Sequence, residues 1–139
     1  MECSVYTSVS MLVVVRHPKD GHTENGKAIC NEVISKLARC RGPVCVFHDA
    51  TRMEAANPGY AGAFKELDRE LSERTTEVVC VVPRLVPRIM ALTVAKLSSR
   101  KWTIFTTITE AFLYLSKMGF DLPKDVNPDC EWVYIKHAA

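Results

Sequence analysis

The chain contains at residues 44–51 the stretch VCVFHDAT, an unbroken apolar run that ends in polar residues. An apolar run of this length is typical of a strand that is covered on both faces, as in the centre of a parallel sheet. A second run of the same kind, VVCVV, occupies residues 78–82. Both runs therefore predict buried strands, and they indicate an α/β protein in which helices cover the sheet.

Segments with helical spacing alternate with strand-like segments on both sides of these runs. The predicted order is strand 6–16, helix 23–39, strand 44–47, helix 60–73, strand 78–82, a third helix that starts near Pro87, strand 102–107 and a fourth helix that opens at Thr109. We expect Thr23 to cap the first helix and residues 48–59 to form a loop. This order predicts a single domain over residues 1–120 with a mostly parallel central sheet.

Residues 121–139 form a less regular segment that contains two prolines. Within it, residues 131–136 (EWVYIK) alternate in the manner of an edge strand. We therefore predict a C-terminal tail outside the domain, in which this edge strand pairs with its own sheet or with the sheet of another copy. The sequence leaves a homodimer open for this reason.

Composition and charge exclude several classes of protein. The 139 residues are enough for one compact domain, and 47 % hydrophobic with 24 % charged residues is ordinary for a globular protein. Eighteen basic against sixteen acidic residues give a net charge of +2, which is too balanced to indicate nucleic-acid binding. The longest apolar runs are much shorter than a bilayer is thick, so we expect no integral membrane segment.

The cysteines and the N-terminal residues indicate a compartment. The N-terminal residues lack the positively charged start and the small-residue cleavage site of a secretory signal. We therefore expect a cytoplasmic protein whose six cysteines are reduced thiols. The sequence has no Cys-x-x-Cys pair and no glycine-rich phosphate-binding motif. It accordingly predicts no metal ion and no cofactor.

His17 is the first candidate for chemistry, because Val15-Arg16-His17-Pro18 is similar to the Arg-His-Gly opening of histidine phosphatases. Here a proline replaces the glycine, and this removes a backbone donor near the phosphate. The later predicted strands are also not followed by the second histidine that this chemistry needs. A small phosphatase that uses His17 is therefore only an alternative to a binding function.

The loop after the central strand is the second candidate. Open α/β sheets collect ligands at the carboxyl ends of their strands, and residues 47–52 (FHDATR) lie at such an end. His48 and Asp49 are neighbours on a strand, so their side chains point to opposite faces and do not readily share a proton. We expect instead that Asp49 and Thr51 hydrogen-bond the backbone of the loop.

Residues 84–101 combine basic and apolar side chains. The simplest interpretation is a helix with one face in the core and a solvated basic face. Val86, Met90 and Val94 widen the apolar arc beyond one packing stripe, which leaves room for a contact surface. Such a surface would face an acidic partner or an anionic membrane, or Met90 and Val94 would line a pocket for an apolar or lipid-like ligand.

Residues 6–118 resemble the STAS-like domains related to SpoIIAA, an anti-sigma factor antagonist. The resemblance rests on residues 11–16, 44–51, 61–73, 78–82 and, above all, 104–115, where a strand and a short polar turn lead into a helix that begins with Glu-Ala. It implies a non-enzymatic domain that binds a protein partner, in some members under the control of phosphorylation at the start of the second helix. Residues 54–60 (EAANPGY) have no hydroxyl before Tyr60, and the nearest threonine is Thr51. The resemblance therefore does not extend to control by phosphorylation at this position.

The sequence as a whole predicts a regulatory module of STAS-like type in signalling. It would bind a protein partner through the loop and the helix that follow the central strand. The residues expected at this surface are Asp49, Thr51, Arg52, Asn57 and Tyr60. The phosphatase that uses His17 and the binder of an apolar ligand stay open as alternatives.

Overall fold

The computed structural model describes residues 11–120, 122 and 133–137, and these form seven strands and four helices. The strands are β1 (Met11–Arg16), β2 (Asp20–Gly21), β3 (Val44–Asp49), β4 (Ala55–Ala56), β5 (Thr75–Val81), β6 (Lys101–Phe105) and β7 (Val133–His137). The helices are α1 (Thr23–Leu37), α2 (Pro58–Glu70), α3 (Leu85–Leu97) and α4 (Ile108–Lys117). This is the alternation of strands and helices that the apolar pattern predicts.

Five strands form the central sheet in the order β6-β5-β3-β1-β7. The first four of these run parallel, and β7 pairs antiparallel with β1 at the edge of the sheet. β3 lies between β1 and β5, and all six of its residues are buried. The predicted α/β class with a mostly parallel sheet is confirmed, and its central strand is the apolar run that begins at Val44.

Successive residues on the strands alternate between two apolar layers, because side chains on a strand point to opposite faces in turn. One layer packs α1 and α2 against residues such as Val13, Val46 and Cys80. The other packs α4 against residues such as Leu12 and Phe47. α3 lies next to α2 on the first face of the sheet. Burial of one Val, Leu or Phe side chain stabilises the folded state by about 1.5–3 kcal/mol, so both layers stabilise the sheet.

The helix starts differ slightly from the prediction, because side chains that can cap a helix occupy neighbouring positions. Thr23 does not cap α1. His22 is the cap: its Nδ1 accepts the Asn25 N–H, and the Asn25 side chain accepts the His22 N–H. Asn57 caps α2 with an Oδ1 that accepts the Tyr60 N–H at 2.9 Å, so this helix begins earlier than predicted.

A short second sheet lies within the segments expected as a turn and a loop. β2 and β4 pair in parallel, with residues 20–21 opposite residues 55–56. The Asn57 N–H continues the pairing by donating to the Gly21 carbonyl at 2.9 Å. The prediction of residues 48–59 as a loop without a strand is wrong here, because two-residue strands are too short to show alternation. The pairing ties the loop after β3 to the loop after β1.

Candidate functional site

A pocket opens between α2 and α3, beside the carboxyl ends of β3 and β5. Its cavity measures about 70 Å³ and is partly open to solvent. The lining is almost wholly apolar and includes Met53, Phe64, Val82, Met90, Val94 and Trp102. Apart from two histidines, no acidic or basic residue is found among the described residues that line it. The pocket therefore suits an apolar group better than an ion.

Three polar side chains form a hydrogen-bonded chain in the wall of this pocket. The hydroxyl of Tyr60 lies 2.5 Å from His17 Nδ1, and His17 Nε2 lies 2.9 Å from His48 Nδ1. All three side chains are buried, and none is more than 8 % exposed. An unpaired polar group at such a position costs about 1–3 kcal/mol, so each member depends on its neighbour. We refer to these three residues as the His–Tyr chain.

The hydrogen bonds of the His–Tyr chain assign its protons. A neutral imidazole has one N–H donor and one acceptor nitrogen. If Tyr60 donates to His17 Nδ1, then His17 donates from Nε2 to His48 Nδ1, and His48 keeps its own proton on Nε2. In the reverse direction the Tyr60 hydroxyl oxygen would accept from His17 Nδ1–H. This direction is disfavoured, because a phenol hydroxyl is a stronger hydrogen-bond donor than a neutral imidazole N–H and an imidazole nitrogen is the better acceptor. We therefore assign the Nε2–H form to both histidines, and His48 Nε2–H has no partner in the described part of the chain.

Aromatic rings hold the His–Tyr chain in position. Trp102 stacks on His48, with ring centroids 5.8 Å apart and an angle of 18° between the planes. Phe64 packs against His17 at 4.8 Å and against Tyr60 at 4.9 Å. β6 supplies Trp102 and α2 supplies Phe64, so elements that are distant in sequence enclose the His–Tyr chain. Such contacts restrict rotation of the imidazole rings and prepare the site for binding.

Burial keeps the two histidines neutral. It lowers the pKa of His48 from 6.5 to about 4. Burial, together with the adjacent His48, also holds the pKa of His17 well below its usual value. Burial raises the pKa of the Tyr60 hydroxyl and that of the Cys80 thiol, which also lines the pocket. At neutral pH the site therefore offers uncharged hydrogen-bonding groups rather than an acid and a base near their pKa values.

The five residues predicted to bind a partner fall into two groups. Thr51, Arg52 and Asn57 are exposed. Asp49 is buried, and its Oδ1 accepts the Thr51 N–H at 3.1 Å, as expected for a side chain that hydrogen-bonds the loop backbone. The Thr51 hydroxyl donates to the same Asp49 Oδ1 at 2.7 Å instead of bonding the backbone as predicted. Tyr60 is buried in the His–Tyr chain. Partner contact stays a prediction, and within this set only the exposed group is accessible to a partner.

The residues of the two alternative functions meet at the same pocket. His17, on which the phosphatase alternative depends, is buried behind the lining instead of exposed at the end of a strand. The described lining includes no arginine or lysine that could hold a phosphate. Met90 and Val94 do line the pocket, as the apolar-ligand alternative expects. Sequence reasoning missed Trp102 as a site residue and did not pair His17 with His48.

Within residues 11–120, 122 and 133–137, no three His, Cys, Asp or Glu side chains are grouped so that they could hold a metal ion. Cys30, Cys40, Cys45 and Cys80 are free thiols, and burial with the nearby Glu70 raises the pKa of Cys30 to about 12. None of the helices in the same ranges combines the length and apolar character needed to cross a bilayer.

Comparison with known proteins identifies the fold. No family model matches the chain, and no curated protein matches it. Among solved structures, the chain is similar to an uncharacterized protein of Shewanella loihica PV-4, described as a DUF3478 family protein with a SpoIIAA-like fold. The sequence identity is 12 %, the TM-score is 0.53, and the match covers 75 % of this chain and 81 % of that chain. The chain therefore has a SpoIIAA-like fold, which confirms the resemblance noted in the sequence.

Proposed function

We propose that this SpoIIAA-like domain is a binding module rather than an enzyme, and that the pocket between α2 and α3 holds its ligand. The ligand would be a compact apolar group with a hydrogen-bond acceptor, such as a carbonyl oxygen. The observation behind this proposal is His48 Nε2, which ends the His–Tyr chain without a partner among the described residues and which the assignment above makes a donor. In an apolar lining, a donor of this kind orients the ligand and supplies specificity.

The size of the cavity limits the ligand. Its volume of about 70 Å³ is smaller than that of an apolar cavity of about 150 Å³ that holds benzene in another protein. A short branched chain or part of a small ring would therefore fill the cavity, and the rest of the molecule would extend through the open side. Burial of the apolar part would favour binding by about 25 cal/mol for each Å² removed from water.

The ionisation of the lining residues supports binding over catalysis. General acid–base catalysis works best when the pKa of the group lies near the working pH, and the pKa of His48 is about 4. A cysteine nucleophile must be a thiolate, but burial raises the pKa of Cys80 and keeps it protonated. These groups are suited to neutral hydrogen bonds and packing.

Cyclohexanone and methylenecyclohexane form a matched pair of probes for this site. They have nearly the same shape, but only cyclohexanone has an acceptor oxygen. We expect cyclohexanone to bind about fivefold more tightly, because one hydrogen bond contributes about 1 kcal/mol. A titration of each probe, monitored by nitrogen NMR of the histidine side chains, measures both affinities. The chemical shift of His48 Nε2 should change on addition of cyclohexanone.

Two alanines on α3 provide the controls for the probe experiment. Ala91→Leu should weaken binding of both probes because Ala91 lines the pocket, whereas Ala95 is on the same helix outside the lining and Ala95→Leu should not. His48→Phe should remove the preference for the ketone. Equal affinities for the two probes in the wild-type protein, or binding unchanged by Ala91→Leu, would exclude this pocket as the site.

Binding of a partner protein through the loop after β3 is a second candidate function. The exposure of Thr51, Arg52 and Asn57 favours it. Because Asn57 caps α2, the double variant Thr51→Ala/Arg52→Ala is the more informative test. We expect this variant to lose a protein that the wild type captures from native lysate, while Lys65→Ala, exposed on α2, retains it. A partner that the double variant still captures would remove this loop from consideration.

A further inference from the structure

The helix α3 is apolar on two opposite faces. Its inner face, which lines the pocket, consists of Pro87, Met90, Ala91 and Val94. Its outer face consists of Leu85, Val86, Ile89, Leu92 and Leu97, which are between 46 % and 64 % exposed. Of the exposed large apolar side chains in the described part of the chain, all except Leu113 belong to this outer face. A contiguous apolar helix face is normally covered by another surface, so the outer face of α3 lacks a cover.

The charge along this helix has one sign. Residues 78–109 contain no aspartate and no glutamate. Arg84 immediately precedes α3, Lys96 lies in its last turn, and both are exposed. From the neighbouring loop, Glu54 approaches Arg84 at 3.8 Å, but an exposed ion pair of this kind contributes little. The outer face of α3 is therefore an apolar ridge with a positive charge at each end.

We propose that the outer face of α3 docks on an anionic membrane surface. The apolar ridge would lie in the interfacial region, and Arg84 and Lys96 would lie among the lipid headgroups. A helix with an apolar face and basic residues at its borders binds in the plane of the membrane, and each basic residue near an anionic surface strengthens binding about fivefold. The 13 residues of α3 give a flat contact about 20 Å long.

The same charges argue against a second copy of the chain as the cover. Two copies packed in antiparallel orientation through this face would bring Arg84 of one copy close to Lys96 of the other, and like charges oppose such an interface. The ridge formed by one helix is convex. It therefore fits a deformable lipid surface better than it fits the same convex ridge on a second copy of the chain. The lipid surface is therefore the occupant that the charge and shape favour.

Co-sedimentation of the full chain with vesicles tests the proposal. We expect binding to vesicles of phosphatidylcholine mixed with phosphatidylserine, much weaker binding to pure phosphatidylcholine, and release as added salt screens the charges. Ile89→Asp should weaken binding by at least about tenfold, because it places a charge in the interfacial region. Leu113→Asp is the matched control, since Leu113 is 60 % exposed on α4 and Ile89 is 52 % exposed.

A second pair of variants tests the charges without changing the apolar ridge. Arg84→Gln/Lys96→Gln should weaken binding about 30-fold. Lys27→Gln/Lys117→Gln removes the same charge from exposed positions on α1 and α4 and should have a much smaller effect. Absence of binding to the anionic vesicles would overturn the proposal, as would equal losses in the variants and their controls. A dimer that Ile89→Asp dissociates would overturn it too, because a second copy would then cover the face.

Discussion

Acidification from pH 6.5 to about pH 4 is expected to destabilise the protein by about 3 kcal/mol. The pKa of His48 is 6.5 when the side chain is solvated and about 4 in the folded protein, because burial disfavours the charged form. Across this interval the unfolded chain binds more protons than the folded chain, so the free energy of unfolding falls as the pH falls. The lowered pKa of His17 acts in the same direction.

Urea unfolding at a series of pH values measures this dependence. His48→Gln removes one titrating group while its amide oxygen can still accept from His17 Nε2–H, so we expect a flatter profile. Lys65→Gln is the control: it changes an exposed side chain on α2 that does not contact His17 or His48, and its profile should match that of the wild type. A profile for His48→Gln as steep as that of the wild type would contradict a neutral, buried His48.

Gly26→Ala is expected to lower the free energy of unfolding by about 1–3 kcal/mol, although alanine is the better helix former by about 1 kcal/mol. Gly26 lies within α1, and a Cβ at this position would be 2.9 Å from Tyr60 Cδ1. The ring has little room to move away, because it also packs closely against Gly21 and Phe64. Displacement of the ring would break the hydrogen bond between Tyr60 and His17.

Gly62→Ala is the matched control for this substitution. Gly62 lies within α2, and a Cβ there would meet nothing within 4 Å. We expect Gly62→Ala to raise the free energy of unfolding by about 0.5–1 kcal/mol, the usual effect at an unobstructed helical position. Chemical denaturation gives both values, and nitrogen NMR should show a change at His17 in Gly26→Ala alone. If both substitutions stabilise the protein, Tyr60 is not packed against α1 as described.

Much of the fold could be predicted from local patterns. The apolar runs at residues 44–47 and 78–82 predicted β3 and β5, which lie side by side in the central sheet. Helical spacing predicted four helices between and after the strands, and the SpoIIAA-like fold is confirmed. The start of α1 lies one residue earlier than predicted, because His22 caps it and Thr23 does not. Boundaries of this kind depend on which of several adjacent polar residues turns toward the first free N–H groups.

The candidate site could be predicted only in part. Met90 and Val94 were recognised as residues that a ligand could contact, and both line the pocket. His17 was considered by itself, because 31 residues separate it from His48 and 43 separate it from Tyr60. One signal was available: His48 points to the same apolar layer as Val46, two residues before it, and a polar side chain in such a layer needs a hydrogen-bond partner.

The sequence by itself determined which segments become the longer strands and the helices, because apolar periodicity acts over a few residues. Only the tertiary structure decided that Tyr60, His17 and His48 share hydrogen bonds, since the register of β1 with β3 and the packing of α2 bring them together. It also decided which apolar face of α3 is covered and which is exposed. Both outcomes depend on contacts between residues far apart in the chain, which no local pattern encodes.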